Sequence, residues 1–169
     1  MSTDNWAMSQ HVVDWMVTNI RPDARVVELG GGTGSFRIHH HFENVITVEH
    51  DRDWVQRLIK EGLPVLYAPL ELDYYRTDDR FKKLIRTADV IVVDGPPGGK
   101  RLGFIEVIGQ VKDGAVLIFD DTHRTYMKRL LRNPTIETIQ DGNRLTTIQR
   151  ATNTNKPTTS PMVEQVTKP

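Results

Sequence analysis

The sequence predicts an α/β fold: a doubly wound, mostly parallel sheet that ends in an antiparallel hairpin. Three observations carry that expectation. Short β-branched runs alternate with helical patterns along the chain. The runs are near-continuously apolar, as strands covered by helices on both faces must be. The last two, "TIETIQ" and "RLTTIQR", flank Asp141, Gly142 and Asn143, a turn signal that pairs them antiparallel.

Taken in order, "QHVVDWMVTNI" places apolar residues at helical spacing and stops before "RPD", which reads as a helix and a break. Five strand-like runs follow: "RVVEL", "NVITVE", "LPVLYA", "DVIVVD" and "GAVLIFD". Helical patterns separate them. "DRDWVQRLIKEG" has Asp51 as N-cap and Gly62 as a stop, and "DDRFKKLIRT" and "RLGFIEVIGQVKDG" follow. After the fifth run, "THRTYMKRLLRNP" reads as a helix closed by Pro134, and then comes the hairpin. Residues 1–150 make one domain on this reading. The segment 151–169, rich in Thr, Asn and Pro, reads as a disordered tail.

Composition narrows the function. A chain of 169 residues suits one well-buried domain, and 38% hydrophobic with 26% charged residues is ordinary for a soluble globular protein. Lys plus Arg equals Asp plus Glu, 22 against 22, so no overall field draws the chain to nucleic acid or an anionic membrane. The absence of cysteine removes disulfides, thiolate zinc sites and cysteine nucleophiles. No signal peptide or membrane span is legible, which makes a cytoplasmic location the expectation.

Open α/β sheets bind ligands at the carboxyl ends of their strands, near the point where strand order reverses. Directly after the first run, "VVELGGGTGSF" sets four glycines among the five residues from Gly30 to Gly34. Glycines there permit a tight turn and let a ligand approach the backbone, with helix N-terminal amides aimed at it. Gly30, Gly32 and Gly34 give a GxGxG spacing after Glu28. The dinucleotide fingerprint would need glycine where Ser35 stands, and no Gly-Lys-Ser/Thr completes a phosphate loop.

With "VVELGGGTG", Glu49 closing "NVITVEHD", "DVIVVDGPPG" and the terminal hairpin, residues 5–150 resemble class I S-adenosylmethionine-dependent methyltransferases. The resemblance implies a Rossmann-like, seven-stranded sheet whose last strand is antiparallel, with the cofactor across the glycine loop. It implies that Glu28, Ser35 and the amides of Gly30, Gly32 and Gly34 hold the methionine end. Glu49 would take both ribose hydroxyls, and Leu70, within "APLE", would lie by the adenine. A carboxylate accepts two hydrogen bonds side by side and a vicinal diol offers two, so the chemistry agrees.

The acceptor side is similar to small-molecule O-methyltransferases of the catechol and caffeoyl-CoA type. These place one metal-binding aspartate after the fourth strand and an acidic or amide pair after the fifth. Here Asp94 stands in "VVDGPPGGK", and Asp120 and Asp121 in "IFDDTH". By that likeness the three hold Mg²⁺, a hard ion suited to oxygen donors, which would acidify and orient an acceptor hydroxyl. "NWAM" offers Trp6 and Met8 to close over the donor. The chain departs from the pattern at "GPPGG", which delays the lysine to Lys100. Two arrangements are therefore open: Mg²⁺ with Lys100 as base, or a metal-free site with Asp94 as base and His123 assisting. The loop "DGPPGGKR" is also similar to that of sugar-acid O-methyltransferases of the glucuronoxylan kind.

Other features carry less. His39, His40 and His41 are neighbours that share no helix face and read as a polar helix end. Arg124, Lys128 and Arg132 form a stripe that is either solvated or, through Arg124, paired with an anionic acceptor. The reading is a methyltransferase using S-adenosylmethionine, with or without Mg²⁺, on a hydroxyl of a small molecule. Alternatives on the same fold are an aminopropyltransferase, a nucleic-acid methyltransferase, and a cofactor-binding partner subunit without chemistry of its own. The oligomeric state is left open.

Overall fold

The computed structural model describes residues 8–152. Helix α1 (Gln10–Asn19) starts where the Ser9 hydroxyl accepts a hydrogen bond from the His11 amide. The chain then alternates through β1 (Arg25–Leu29), α2 (Ser35–His41), β2 (Asn44–Glu49), α3 (Arg52–Lys60) and β3 (Val65–Tyr67). A small antiparallel ribbon of β4 (Leu70–Glu71) and β5 (Tyr74–Tyr75) precedes α4 (Asp79–Thr87), β6 (Val90–Val93), α5 (Ile105–Ile108), β7 (Val116–Phe119), β8 (Thr135–Asp141) and β9 (Arg144–Arg150). The acids that sequence chemistry would choose do cap their helices. Asp51 Oδ1 accepts from the amides of Asp53 and Trp54 at 2.9 and 3.0 Å, and Asp78 from Phe81 at 2.9 Å.

Seven strands form one sheet in the order β3-β2-β1-β6-β7-β9-β8. The first five are mutually parallel, and β9 runs antiparallel between β7 and β8. Successive side chains in a strand face opposite ways, and the core obeys that period. Val27, Leu29, Ile91 and Val93 pack with Phe81, Ile85 and Phe104, whereas Val26, Val90 and Val92 pack with Val12, Met16 and Ile38. Both sheet faces are thus covered, which is why the strands are apolar throughout.

Strand order reverses between β1 and β6. The chain winds outward from β1 to β3, then returns to lay β6 against the other side of β1. The carboxyl ends of β1 and β6 therefore open side by side.

Two expected helices do not form. In "RLGFIEVIGQVKDG" the chain makes a 3₁₀ segment, Gly98–Phe104, and only the four residues of α5. A Cβ on Gly103 would come within 2.2 Å of Tyr74 Cγ, so packing onto β5 sets this segment's path, and its glycines weaken any α-helix. In "THRTYMKRLLRNP" only Thr125–Arg129 is helical, as a 3₁₀ segment. Thr122 ties its start to β9: its amide and hydroxyl both donate to the Leu145 carbonyl. The four-residue stripe of Arg124, Lys128 and Arg132 has no α-helix to run along. Trp6 and the tail beyond residue 152 lie outside the described residues. Met8 is buried in the core with Val12 and Met16, so it forms no lid. Among the described residues no helix is long and apolar enough to cross a membrane.

Candidate functional site

At the end of β1 each glycine has its own physical reason. Gly30 adopts φ +102°, and a Cβ there would lie 2.5 Å from the Gly95 nitrogen, so the loops after β1 and β6 touch backbone to backbone. A Cβ on Gly31 would meet Leu58 Cδ1 at 2.7 Å. Gly32 is different: a Cβ there would meet no atom within 4 Å, although the residue lines the cavity. Gly34 has ordinary helical angles at the start of α2, and Ser35 Oγ accepts the Gly32 amide at 3.0 Å. Two of these glycines serve packing, and Gly32 leaves room.

Glu49 ends β2 beneath this loop. Its Oε2 accepts the Gly31 amide at 2.7 Å, and its Oε1 the amides of His50 and Asp51 at 2.7 and 2.6 Å. Three of roughly four acceptor sites on the carboxylate are thus engaged by backbone. Glu28, 2% exposed, takes the Thr47 hydroxyl at 2.7 Å, and Thr47 is in turn 2.9 Å from His39 Nε2. Burial pushes the Glu28 carboxyl up to about 7, against the lowering effect of the Thr47 and Ser35 hydroxyls. Half-buried His39 is pushed down by burial. The histidine run is a helix end, as expected, but its first member also supports Glu28 through Thr47.

Glu28, Gly32, Glu49 and Trp54 line a cavity of about 400 Å³ together with Tyr75, Asp94 and the Pro96–Pro97 loop. Small-ligand pockets span roughly this size. Tyr75 Oη is buried with no hydrogen-bond partner among the described residues, a donor a ligand could satisfy. Arg57 stacks on Trp54 from outside, its guanidinium carbon 4.6 Å from the ring centroid.

Three aspartates and three arginines form a cluster of which Asp94, Arg101 and Arg124 line the cavity. Arg101, 6% exposed, donates from Nη2 to Asp94 Oδ1 and from Nη1 to Asp121 Oδ2, both at 3.1 Å. Arg124 Nη2 lies 2.9 Å from the same Asp121 oxygen. Arg144, from β9, bonds Asp120 Oδ2, while Thr146 donates to Asp120 Oδ1 at 2.8 Å. Burial, then the nearby Asp120 charge, pushes the Asp94 carboxyl well above its ordinary range, and Arg101 opposes the shift.

This geometry overturns part of the acceptor-side expectation. Asp94, Asp120 and Asp121 do converge, but guanidinium groups occupy the oxygens a cation would need. No group of three or more His, Asp or Glu suited to a metal exists among the described residues. The trio does not fit Mg²⁺, since a divalent ion there would face three arginines. Lys100, the base of the Mg²⁺ arrangement, and His123, the assistant to Asp94 in the metal-free one, are exposed and do not line the cavity. Asp120 and Asp121 are buried behind it. Leu70 packs against the core instead of lining the cavity. Arg101, Trp54 and Tyr75 were not anticipated. Arg101 adjoins Lys100 in sequence, and only the turn of the 3₁₀ segment decides which of the two points inward.

Comparison with known proteins places the fold. No protein-family model matches the chain, and no curated protein does. Solved structures do. An RNA methyltransferase from Salinibacter ruber with S-adenosyl-L-homocysteine has a TM-score of 0.58 at 17% identity, covering 85% of this chain and 92% of its own. The N-methyltransferase NodS from Bradyrhizobium japonicum, with the same ligand, scores 0.60 at 12% identity over 83% and 84%. The 16S rRNA methyltransferase RsmC of T. thermophilus, with AdoMet and guanosine, scores 0.56 at 15% identity over 89% of this chain and 41% of its own. The chain has the α/β, Rossmann-like methyltransferase fold.

Proposed function

We propose that this chain is an S-adenosylmethionine-dependent methyltransferase acting on a hydroxyl oxygen of a small molecule without a metal. The observation that carries the reading is the open glycine, Gly32, on a cavity that Glu28, Glu49 and Asp94 also line. Neighbours of the same fold with S-adenosylhomocysteine bound support the donor.

The residues present fit this cofactor. Glu28 faces the place for an ammonium group, which would draw its carboxyl into the ionised form. The Gly32 amide and its open Cα would accept close approach of the methionine chain. Glu49 Oε2, which accepts only the Gly31 amide, is the oxygen with room for a ribose hydroxyl, since Oε1 already meets two amides and the His50 ring. Trp54 and the rim after β2, rather than Leu70, offer a flat apolar surface to the base.

The cofactor supplies an electrophilic methyl group on a sulfonium. The acceptor oxygen forms the new O–C bond with a lone pair, the S–C electron pair stays on sulfur, and Asp94 takes the hydroxyl proton. A partly buried carboxyl with raised proton affinity suits that task at neutral pH. Arg101 holds Asp94 in place, and the Pro96–Pro97 loop narrows the approach so that reacting atoms align.

Calorimetric titration with S-adenosylmethionine, S-adenosylhomocysteine and decarboxylated S-adenosylmethionine, each with Mg²⁺ or a chelator, tests this. Micromolar binding of the first two, indifferent to Mg²⁺, is expected. Preference for the decarboxylated form would redirect the reading to aminopropyl transfer, and no binding of any of the three would end it. With binding established, methyl transfer across a hydroxyl panel that Asp94→Asn abolishes would complete the case; binding without any turnover would favour a partner subunit.

A further inference from the structure

We propose that the arginine end of the cavity is an anion subsite, in which Arg124 and the Nε–H of Arg101 hold a carboxylate or phosphate group carried by the acceptor beside its reacting hydroxyl. The proposal rests on the methyltransferase reading for the word acceptor, but its geometry stands apart from it.

Arg101 is the central observation. A guanidinium offers five N–H donors and is always charged. Its Nη1 is engaged by Asp121 and, at 3.4 Å, by the Asp120 carbonyl, and its Nη2 by Asp94. Its Nε is buried with no hydrogen-bond partner among the described residues, while the residue lines the cavity. A buried charged donor left without an acceptor is costly, and an oxyanion in the cavity would remove that cost.

Arg124 supplies the second cation. It also lines the cavity, its side chain is 36% exposed, and its Nη2 contacts the same Asp121 oxygen as Arg101 Nη1. One buried carboxylate therefore holds two guanidinium groups side by side, one deep and one at the mouth. Paired guanidinium forks match the planar edges of carboxylate and phosphate.

The charge distribution points the same way. Glu28, Glu49 and Asp51 line the donor side, so an acceptor anion is repelled there and drawn toward the arginines. The far cluster counts three carboxylates, Asp94, Asp120 and Asp121, against three guanidiniums, Arg101, Arg124 and Arg144. Asp94 takes up the acceptor's proton in the reaction, and the cluster is then cationic by one charge. An acceptor anion restores the balance and places a neighbouring hydroxyl close to Asp94.

The test is nitrogen-edited NMR of arginine Nε–H groups in protein saturated with S-adenosylhomocysteine, titrated with inorganic phosphate, glycolate, or glycerol as the neutral control. The expected result is that the Arg101 Nε–H signal moves with phosphate or glycolate and stays still with glycerol. Arg124→Gln should weaken anion binding at least tenfold and Arg124→Lys about threefold, with S-adenosylhomocysteine affinity within twofold of the parent. The anion that binds tenfold tighter identifies the group as phosphate or carboxylate. Equal behaviour of anions and glycerol, or anion binding by Arg124→Gln within twofold of the parent, overturns the subsite. Should either variant fail to fold, the comparison of anions with glycerol on the parent decides alone. If S-adenosylhomocysteine does not bind but anions still do, the methyltransferase reading falls and the subsite stands; the reverse outcome strikes only the subsite.

Discussion

Replacing Glu28 with glutamine should stabilise the protein in alkali while weakening its site. Folding buries this carboxyl completely and raises it from 4.5 to about 7. At about 1.4 kcal/mol per pH unit, that rise costs the ionised form about 3 kcal/mol. The sign follows from linkage. A carboxyl raised in the folded state binds its proton more tightly there than in the unfolded chain. Its contribution is intact below about 4.5 and is lost as pH climbs through about 7. Glutamine never ionises, so Glu28→Gln escapes the loss. Its amide can replace only part of the hydrogen bonding from Thr47 and Ser35, which subtracts about 1 kcal/mol at every pH. Asp94 is raised as well, in part by the Glu28 charge, so the difference between the two proteins reports Glu28 together with its coupling to Asp94. Urea denaturation at pH 5 and pH 8 should show Glu28→Gln gaining about 2 to 3 kcal/mol on the parent between the two conditions. A gap that stays constant within about 0.5 kcal/mol across that range would refute the claim that this acid is buried against its own charge.

Three further outcomes are expected. Gly30→Ala should lose about 2 kcal/mol or more through its positive φ and the Gly95 contact, whereas Gly32→Ala should melt within a degree or two of the parent yet bind S-adenosylhomocysteine at least tenfold more weakly; differential scanning calorimetry with isothermal titration separates the two. S-adenosylmethionine affinity should fall as pH drops below about 7, because its ammonium pairs with ionised Glu28, and titrations at pH 7 in buffers of different ionisation enthalpy should report proton release on binding. Asp120→Ala should cost about 2 kcal/mol in urea denaturation, less than breaking a fully buried pair because Arg144 keeps contact with water, and millimolar Mg²⁺ should not shift the melting temperature of the parent beyond a matched ionic-strength control.

What the sequence discloses depends on how local the physics is. The β1 and β2 runs are legible because a strand covered on both faces must be apolar at every position. Asp51 is legible because an N-cap is settled within four residues, and Asp78 caps its helix by the same local rule. Gly32 and Glu49 are legible from their place after β1 and β2. The segments after β6 and β7 are not, since helical spacing there is overridden by contacts with Tyr74 and with β9, far along the chain. The three aspartates do come together, but with guanidiniums where a metal ion is expected. Oxygen donors can be counted in a sequence, but Arg101 and Arg144 reach them from 7 and 24 residues away, respectively, so only the fold reveals the guanidiniums among them. Trp54 is not legible as a cavity residue because its helix reads as amphipathic whichever way the ring turns.

Strand β9 follows β8 in the chain yet sits inside the sheet, wedged between β7 and β8. A nascent polypeptide therefore exposes the open flank of β7 until residues 144–150 leave the ribosome. Until then Asp120 lacks both Arg144 and Thr146, and its charge has no counterweight. Translation that stalls short of this point yields a product with a raw sheet edge and an orphaned acid in its interior, the kind of species that chaperones and proteases recognise. The insertion order thus leaves the surroundings of Asp120 complete only once β9 has entered the sheet.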